Sequence, residues 1–316
     1  MTVTLDDIKQ AHQRIQPYIH CTPILQSRQL NKLFTCELFF KADNMQKVGA
    51  FKARGACNAL FSMTQEALAN GVITHSSGNH GAALAWAAAM RKASCTVVMP
   101  ENAPQAKKDA VLSYGATVVY CEPTMTAREG TVTRLIEQQG ARLVHPYDDD
   151  LIIAGQGTAT LETLAQLDKP ADVLMTPVGG GGLLGGSAIV VKQSPQAGIT
   201  RVIGAEPEAA NDAWLGFRSG ARLAEFVPNT IADGLRGTVG VRNFEIITQH
   251  VDDILLASEA RIVEAMKLIW TRLKIVVEPS AAVPLAAIMD QPEQFNGKRV
   301  AIILSGGNLD LDALPW

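Results

Sequence analysis

Thr176-Pro177-Val178-Gly179-Gly180-Gly181-Gly182-Leu183-Leu184-Gly185-Gly186 follows the apolar run Val173 to Met175 and precedes the helix-like Ser187 to Lys192. A glycine run set where a strand ends and a helix begins predicts a phosphate cradle. Without Cβ atoms, successive backbone N–H groups can converge on one anion near a helix N-terminus. The same run also spells the dinucleotide fingerprint. Gly180, Gly182 and Gly185 give G-x-G-x-x-G, and Glu206 lies about 20 residues on, at the end of the strand-like Arg201 to Ala205. A tight turn with close helix packing is a third reading, and the run alone leaves all three open.

On the N-terminal side of this run, short apolar strands alternate with helical stretches: Val72 to His75 then 79 to 92, Cys95 to Met99 then 104 to 113, Thr117 to Tyr120 then 124 to 138, Arg142 to His145 then 151 to 167. That rhythm predicts an α/β fold in which a parallel sheet is covered by helices on both faces. Strands resume near 173 to 177 and 201 to 206 and close with Val300 to Leu304. The expectation is a doubly wound architecture split into lobes. Gly216 to Gly240 is the irregular stretch, and a long irregular segment in a compact domain is often functional.

Composition excludes several classes of function. The 316 residues are 47% hydrophobic, enough for a sizeable core, and 28 basic against 31 acidic residues leave a net charge of −3. No electrostatic footprint for nucleic acid or an anionic membrane follows from that balance. Cys21, Cys36, Cys57, Cys95 and Cys121 are odd in number and never in C-x-x-C, which argues for free thiols rather than disulfides or structural zinc. The beginning M-T-V-T-L-D-D-I-K has no apolar leader, and no stretch approaches the roughly 18 apolar residues of a membrane span. A cytoplasmic enzyme is the expectation.

Chemistry is carried by three polar turns. Lys52 stands in V-G-A-F-K-A-R-G, Ser76-Ser77-Gly78-Asn79-His80-Gly81 follows the strand ending at His75, and Ser305-Gly306-Gly307-Asn308 follows the last strand. The last two lie at carboxyl ends of strands, where open α/β sheets bind ligands. A nicotinamide enzyme has no need of Lys52 or of the S-G-G-N turn, whereas an aldehyde cofactor needs a lysine for its Schiff base.

These residues resemble the pyridoxal-phosphate enzymes of the tryptophan-synthase β-subunit fold (fold type II), most closely the serine racemase and serine/threonine dehydratase family. The similarity runs over essentially the whole chain and includes Cys21-Thr22-Pro23, Val98-Met99-Pro100, His145-Pro146-Tyr147, Ile153-Ala154-Gly155-Gln156-Gly157-Thr158 and Ala232-Asp233-Gly234. The resemblance implies open, twisted, mostly parallel sheets in a large domain (1–69 and 149–316) and a smaller mobile domain (70–148). It implies that Lys52 anchors pyridoxal 5'-phosphate and later serves as base. Gly179, Gly180, Gly181, Gly182 and Leu183 would hold the phosphate, Phe51 would pack on the ring, Asn79 would meet its hydroxyl and Ser305 its pyridine nitrogen.

By the same resemblance Ser77 faces the opposite side of the cofactor as a second acid. Ser76, Ser77, Asn79, His80, Arg128 and Tyr147 surround the substrate, and the Arg128 guanidinium would select a distal carboxylate. Glu206, the Ala210 carbonyl and Asp212 would bind Mg²⁺, Ca²⁺ or Mn²⁺. Ala50 replaces a usual serine, which removes a hydroxyl expected to contact the substrate carboxylate, and Arg28, Val48 and Ala82 differ at positions of the nucleotide site of animal serine racemases, so ATP activation is not assumed. The implied activity is an ammonia-lyase on L-serine, L-threonine or L-threo-3-hydroxyaspartate, in a homodimer. A serine or aspartate racemase and a non-catalytic cofactor carrier are the alternatives.

Overall fold

The computed structural model describes residues 3–76 and 78–316; Ser77, implied by resemblance as the second acid, lies outside the described residues. The strands are β1 (Ile24–Leu25), β2 (Glu37–Lys41), β3 (Val72–His75), β4 (Cys95–Pro100), β5 (Thr117–Cys121), β6 (Arg142–Leu143), β7 (Val173–Pro177), β8 (Arg201–Pro207), β9 (Asp253–Ala257) and β10 (Arg299–Ile303). They divide into a six-stranded sheet ordered β1-β2-β10-β7-β8-β9 and a four-stranded sheet ordered β5-β4-β3-β6. Every pairing is parallel except that of β1 with β2.

Parallel sheets are covered on both faces and read as continuous apolar runs rather than alternating ones. Accordingly β3 and β7 are buried at every position, and β8 is exposed only at Arg201. Since β10 and β7 run side by side in one direction, the Ser305 turn and the glycine run leave the sheet at the same end. The four-stranded sheet sends the Ser76 turn out from β3. The strands β2 and β9 lie outside the alternation read from the sequence.

Helices fill the connections: α1 (Leu5–Ile15), α2 (Arg28–Phe34), α3 (Lys52–Ser62), α4 (Asn79–Met90), α5 (Gln105–Ser113), α6 (Met125–Gln139), α7 (Asp150–Gln166), α8 (Gly182–Lys192), α9 (Asp212–Ser219), α10 (Val241–His250), α11 (Glu259–Leu273) and α12 (Pro279–Asp290). The sequence placed the start of α8 near Ser187, but it begins at Gly182, with Gly181 left-handed (φ 90°) at its N-cap. Each interior glycine costs a helix about 1 kcal/mol, and complete burial of the turn offsets this. The backbone of α3 passes so close to that of α7 that a Cβ on Gly155 would lie 2.5 Å from the Gly55 Cα.

Strand β6 ends at Leu143 instead of His145. Val144 N still donates to Ile73 O, but Pro146 has no N–H to extend a ladder. His145 Nδ1 instead accepts from Asp148 N at 2.9 Å, turning the chain into the segment that leads to α7. Two residues beyond Lys52, fully buried Arg54 bridges Asp43 (2.7 Å) and Glu162 (2.8 Å), and Lys41 meets Glu162 at 2.7 Å. This neutral quartet fixes α3 against β2 and α7, and removing one partner would strand a buried charge at a cost of about 3–5 kcal/mol.

Candidate active site

A cavity of about 1080 Å³ opens where the two sheets present their strand ends. Lys52 is the first residue of α3, and the turn before it is pinned to the last strand's turn. Phe51 N donates to Ser305 O at 2.9 Å, Gly307 N donates to Gly49 O at 2.9 Å, and Ala50 bridges Gly306. Lys52 Nζ donates to Pro146 O at 2.8 Å and lies 5.2 Å from the Phe51 ring centroid. Burial lowers the lysine pKa to about 8 against the opposing pull of Glu278.

The glycine run forms the opposite wall. A Cβ on Gly180 would fall 2.2 Å from the Tyr147 ring, and Gly181 takes the left-handed conformation, so neither position admits a side chain. The backbone amides of Gly180, Gly181, Gly182 and Leu183 donate to no described group, and α8 has no side-chain cap. Unpartnered amides at a helix N-terminus, facing a cavity, suit a phosphate dianion.

Asn79 opens α4, and its Nδ2 donates to both carboxylate oxygens of Glu278, at 2.9 and 3.1 Å. Asn308 Nδ2 donates to Asn79 Oδ1 at 2.9 Å and to Val48 O at 2.7 Å, while Asn308 N donates to Glu278 Oε2 at 3.2 Å. Burial raises the Glu278 carboxyl, while the Asn79 hydrogen bond and Lys107 pull the other way. Sequence reasoning missed Glu278. The available signal was a glutamate directly before Pro279, at a helix N-cap where Ser, Thr, Asp or Asn is usual.

Ser76, His80, Arg128, Tyr147 and Ser305 line the same cavity as Phe51, Lys52 and Asn79. Ser76 Oγ accepts from Gly78 N at 3.2 Å. The imidazoles of His75 and His145 stand edge to face with centroids 5.5 Å apart, and His145 meets Tyr147 in the same way at 4.7 Å. Burial holds His75 and His145 at about 4 and His80 well below its ordinary value, so all three are neutral at pH 7. Arg128, in the first turn of α6, has a buried Nε with no partner among the described residues. At the mouth Lys107 of α5 pairs with Asp233.

Glu206 at the end of β8 and Asp212 at the start of α9 are neighbours, with Ala210 between them in sequence, and none of the three lines this cavity. Both carboxylates are buried rather than solvated, at 0% and 4% exposure. Glu206 accepts from Ala213 N (3.0 Å) and Trp214 N (2.8 Å), and Asp212 Oδ2 accepts from Val239 N (2.9 Å). Burial and the neighbouring Asp212 raise the Glu206 carboxyl well above the usual range, and burial lifts Asp212 to about 6. Two buried, mutually repelling carboxylates with spare lone pairs suit a hard cation taking oxygen ligands. Gly240 N, one residue after Val239, donates to Gly180 O at 3.1 Å, so this loop abuts the glycine cradle.

Comparison with known proteins agrees with this geometry. The chain is 49% identical over 313 residues to a beta-hydroxyaspartate dehydratase of Paracoccus denitrificans, covering 99% of this chain and 98% of that protein. It is 49% identical over 318 residues to a serine racemase of Dictyostelium discoideum, covering 99% and 97%. The crystal structure of a T.th. threonine deaminase superposes with a TM-score of 0.91 at 44% identity, over 98% of this chain and 99% of that one. Residues 15–306 match the signature of the pyridoxal-phosphate dependent enzymes, and with a lysine at the head of α3 and an open glycine cradle across the cavity, the chain belongs to that family.

Proposed function

We propose that this protein is a pyridoxal-phosphate-dependent dehydratase of 3-hydroxy amino acids, with L-threo-3-hydroxyaspartate preferred over L-serine and L-threonine. The observation that carries the preference is the buried Nε of Arg128 on the cavity wall, which has no partner among the described residues and can take a second carboxylate. The kinship with a beta-hydroxyaspartate dehydratase supports the same reading. Bound pyridoxal phosphate supplies an electron sink for the pair left on Cα when its proton departs.

The rest is done by the chain. The amides of Gly179 to Gly182 and Leu183 hold the phosphate, Phe51 packs on the ring and Asn79 is the partner of the ring hydroxyl. Ser305 offers the pyridine nitrogen a neutral hydroxyl rather than a charge, which restrains electron withdrawal and favours elimination over transamination. Lys52 Nζ, its pKa lowered by burial to about 8, takes the Cα proton. Ser76, His80 and Tyr147 border the substrate. Loss of the β-hydroxyl as water and hydrolytic loss of ammonia leave the keto acid.

Racemisation is the second reading, favoured by the equal identity to a serine racemase and by a serine at position 77, which would return a proton to the other face. Mg²⁺ or a similar cation would sit between Glu206, the Ala210 carbonyl and Asp212 and brace the loop beside the cradle. Residues 70–148 form the small mobile lobe, two copies make the working dimer, and five free cysteines suit a reducing cytoplasm. No helix among the described residues is long and apolar enough to cross a membrane.

The test is a chiral chromatography time course with pyridoxal phosphate and Mg²⁺, giving L-threo-3-hydroxyaspartate and L-serine separately to the native chain and to Arg128→Ala. Keto acid without D-amino acid is expected, with the variant losing about 10- to 100-fold on hydroxyaspartate and far less on serine. D-enantiomer outpacing keto acid replaces the dehydratase by a racemase. Neither product would make the chain a non-catalytic carrier, and a uniform loss rejects the role of Arg128.

A further inference from the structure

Asn243, in the first turn of α10, is fully buried and was singled out by no motif. Its Nδ2 donates one hydrogen to Tyr147 O at 2.9 Å and the other to Gly180 O at 2.8 Å. The two acceptors fix the orientation of the amide, since the opposite flip would point its oxygen at two carbonyls. Oδ1 is left buried without a partner among the described residues. An orphaned buried carbonyl is costly and an apolar side chain of similar size would avoid it, so the donors are what the position retains.

The two carbonyls belong to the two halves of the site. Gly180 lies in the cradle, next to Gly181, whose Cβ would come 2.8 Å from the Asn243 Cβ. Tyr147 follows Pro146, whose carbonyl receives the Lys52 amine. The same segment is bound to the α10 N-terminus by Asp148, which accepts from Val241 N (3.2 Å) and Arg242 N (2.9 Å). Moving the cradle therefore moves α10, and moving α10 displaces the acceptor of Lys52 Nζ.

We propose that Asn243 is a positioning residue, a strut that ties the phosphate loop to the Pro146–Tyr147 turn so that filling the cradle sets the carbonyl on which the Lys52 amine rests. This rests on the cradle binding phosphate. A coupling of this kind is reciprocal: whatever rigidifies the cradle rigidifies residues 145–148, and a loose 145–148 weakens phosphate binding.

The experiment is amide hydrogen exchange on the full chain stripped of cofactor, with and without saturating inorganic phosphate, followed over peptides spanning 143–149 and 179–185. In the native chain phosphate should slow exchange about tenfold in both. In Asn243→Leu, which keeps the bulk and removes the donors, phosphate should protect only 179–185, and pyridoxal phosphate should bind about tenfold more weakly. A structural role alone would lower the melting temperature of the variant and leave the two peptides coupled. The strut is overturned if phosphate protects 179–185 but not 143–149 in the native chain, a result that needs no folded variant. It is also overturned if both peptides remain protected in Asn243→Leu. A native chain in which phosphate protects neither peptide overturns the cradle itself, and the strut with it.

Discussion

A lysine with a pKa near 8 carries about 200 times more free amine at neutral pH than one at the ordinary value of about 10.4, which is the difference between a surface ion and a reagent. The cause is burial at the head of α3, only partly offset by Glu278. With the cofactor removed, Lys52 should recapture pyridoxal phosphate at a rate that rises with pH and levels off just above pH 8, the amine being reactive only when deprotonated. Stopped-flow absorbance across pH 6 to 10 reads this directly, and a rate still climbing at pH 10 refutes it. Lys52, Asn79, Ser305 and the four glycines were legible because each lies in a short motif whose chemistry is local. Glu278 and Asn243 were not. A glutamate before a proline and an asparagine in an amphipathic helix acquire meaning only from partners some 200 and 60 residues away, the Asn79 side chain and the Gly180 carbonyl.

At the scale of elements, α9 begins inside the acidic loop and the chain from Val239 to Gly240 runs from that loop to the cradle. Exhaustive chelation should therefore lower the melting temperature by about 5 °C and weaken pyridoxal phosphate binding, with Mg²⁺ restoring both. Asp212→Asn should be indifferent to chelator and Mg²⁺ alike. A native chain whose melting and cofactor affinity ignore chelator has no such site. The alternation of strands and helices between 72 and 167 was readable because the inner strands β3 and β4 are buried apolar runs and the more exposed edge strand β5 is rich in β-branched residues. Strand β2 was hidden because its last residue is Lys41, a buried cation whose compensation by Glu162 comes from a helix far along the chain. The early start of α8 was hidden because glycine reads as turn, and only packing against α7 makes it helix.

For the molecule as a whole, three histidines held neutral in one wall tie stability to pH. The unfolded chain takes a proton on each below about pH 6.5, whereas folded His75 and His145 do so only near 4. Their contribution is thus intact above pH 6.5 and is lost as pH falls toward 4, by up to about 3 kcal/mol for a fully titrated site. Urea unfolding at pH 7 and pH 4.5 should show a lower midpoint in acid, and His75→Phe, which keeps an aromatic ring beside His145 and facing Arg128, should remove about one proton from that dependence. An unchanged pH slope in the variant would assign the acid sensitivity elsewhere.

The bond from Asn308 to the carbonyl of Val48 joins residues 260 apart in sequence, and the Ala50–Gly306 bridge lies beside it. During synthesis at about 5 to 20 residues per second, the lysine-bearing turn leaves the ribosome roughly 15 to 50 s before the turn that pins it. For that interval Lys52 has no fixed position, and the amine that discriminates so sharply in the finished protein is one more flexible side chain on an open helix. Cofactor capture then waits on the arrival of the Ser305–Asn308 turn, not on Lys52 itself.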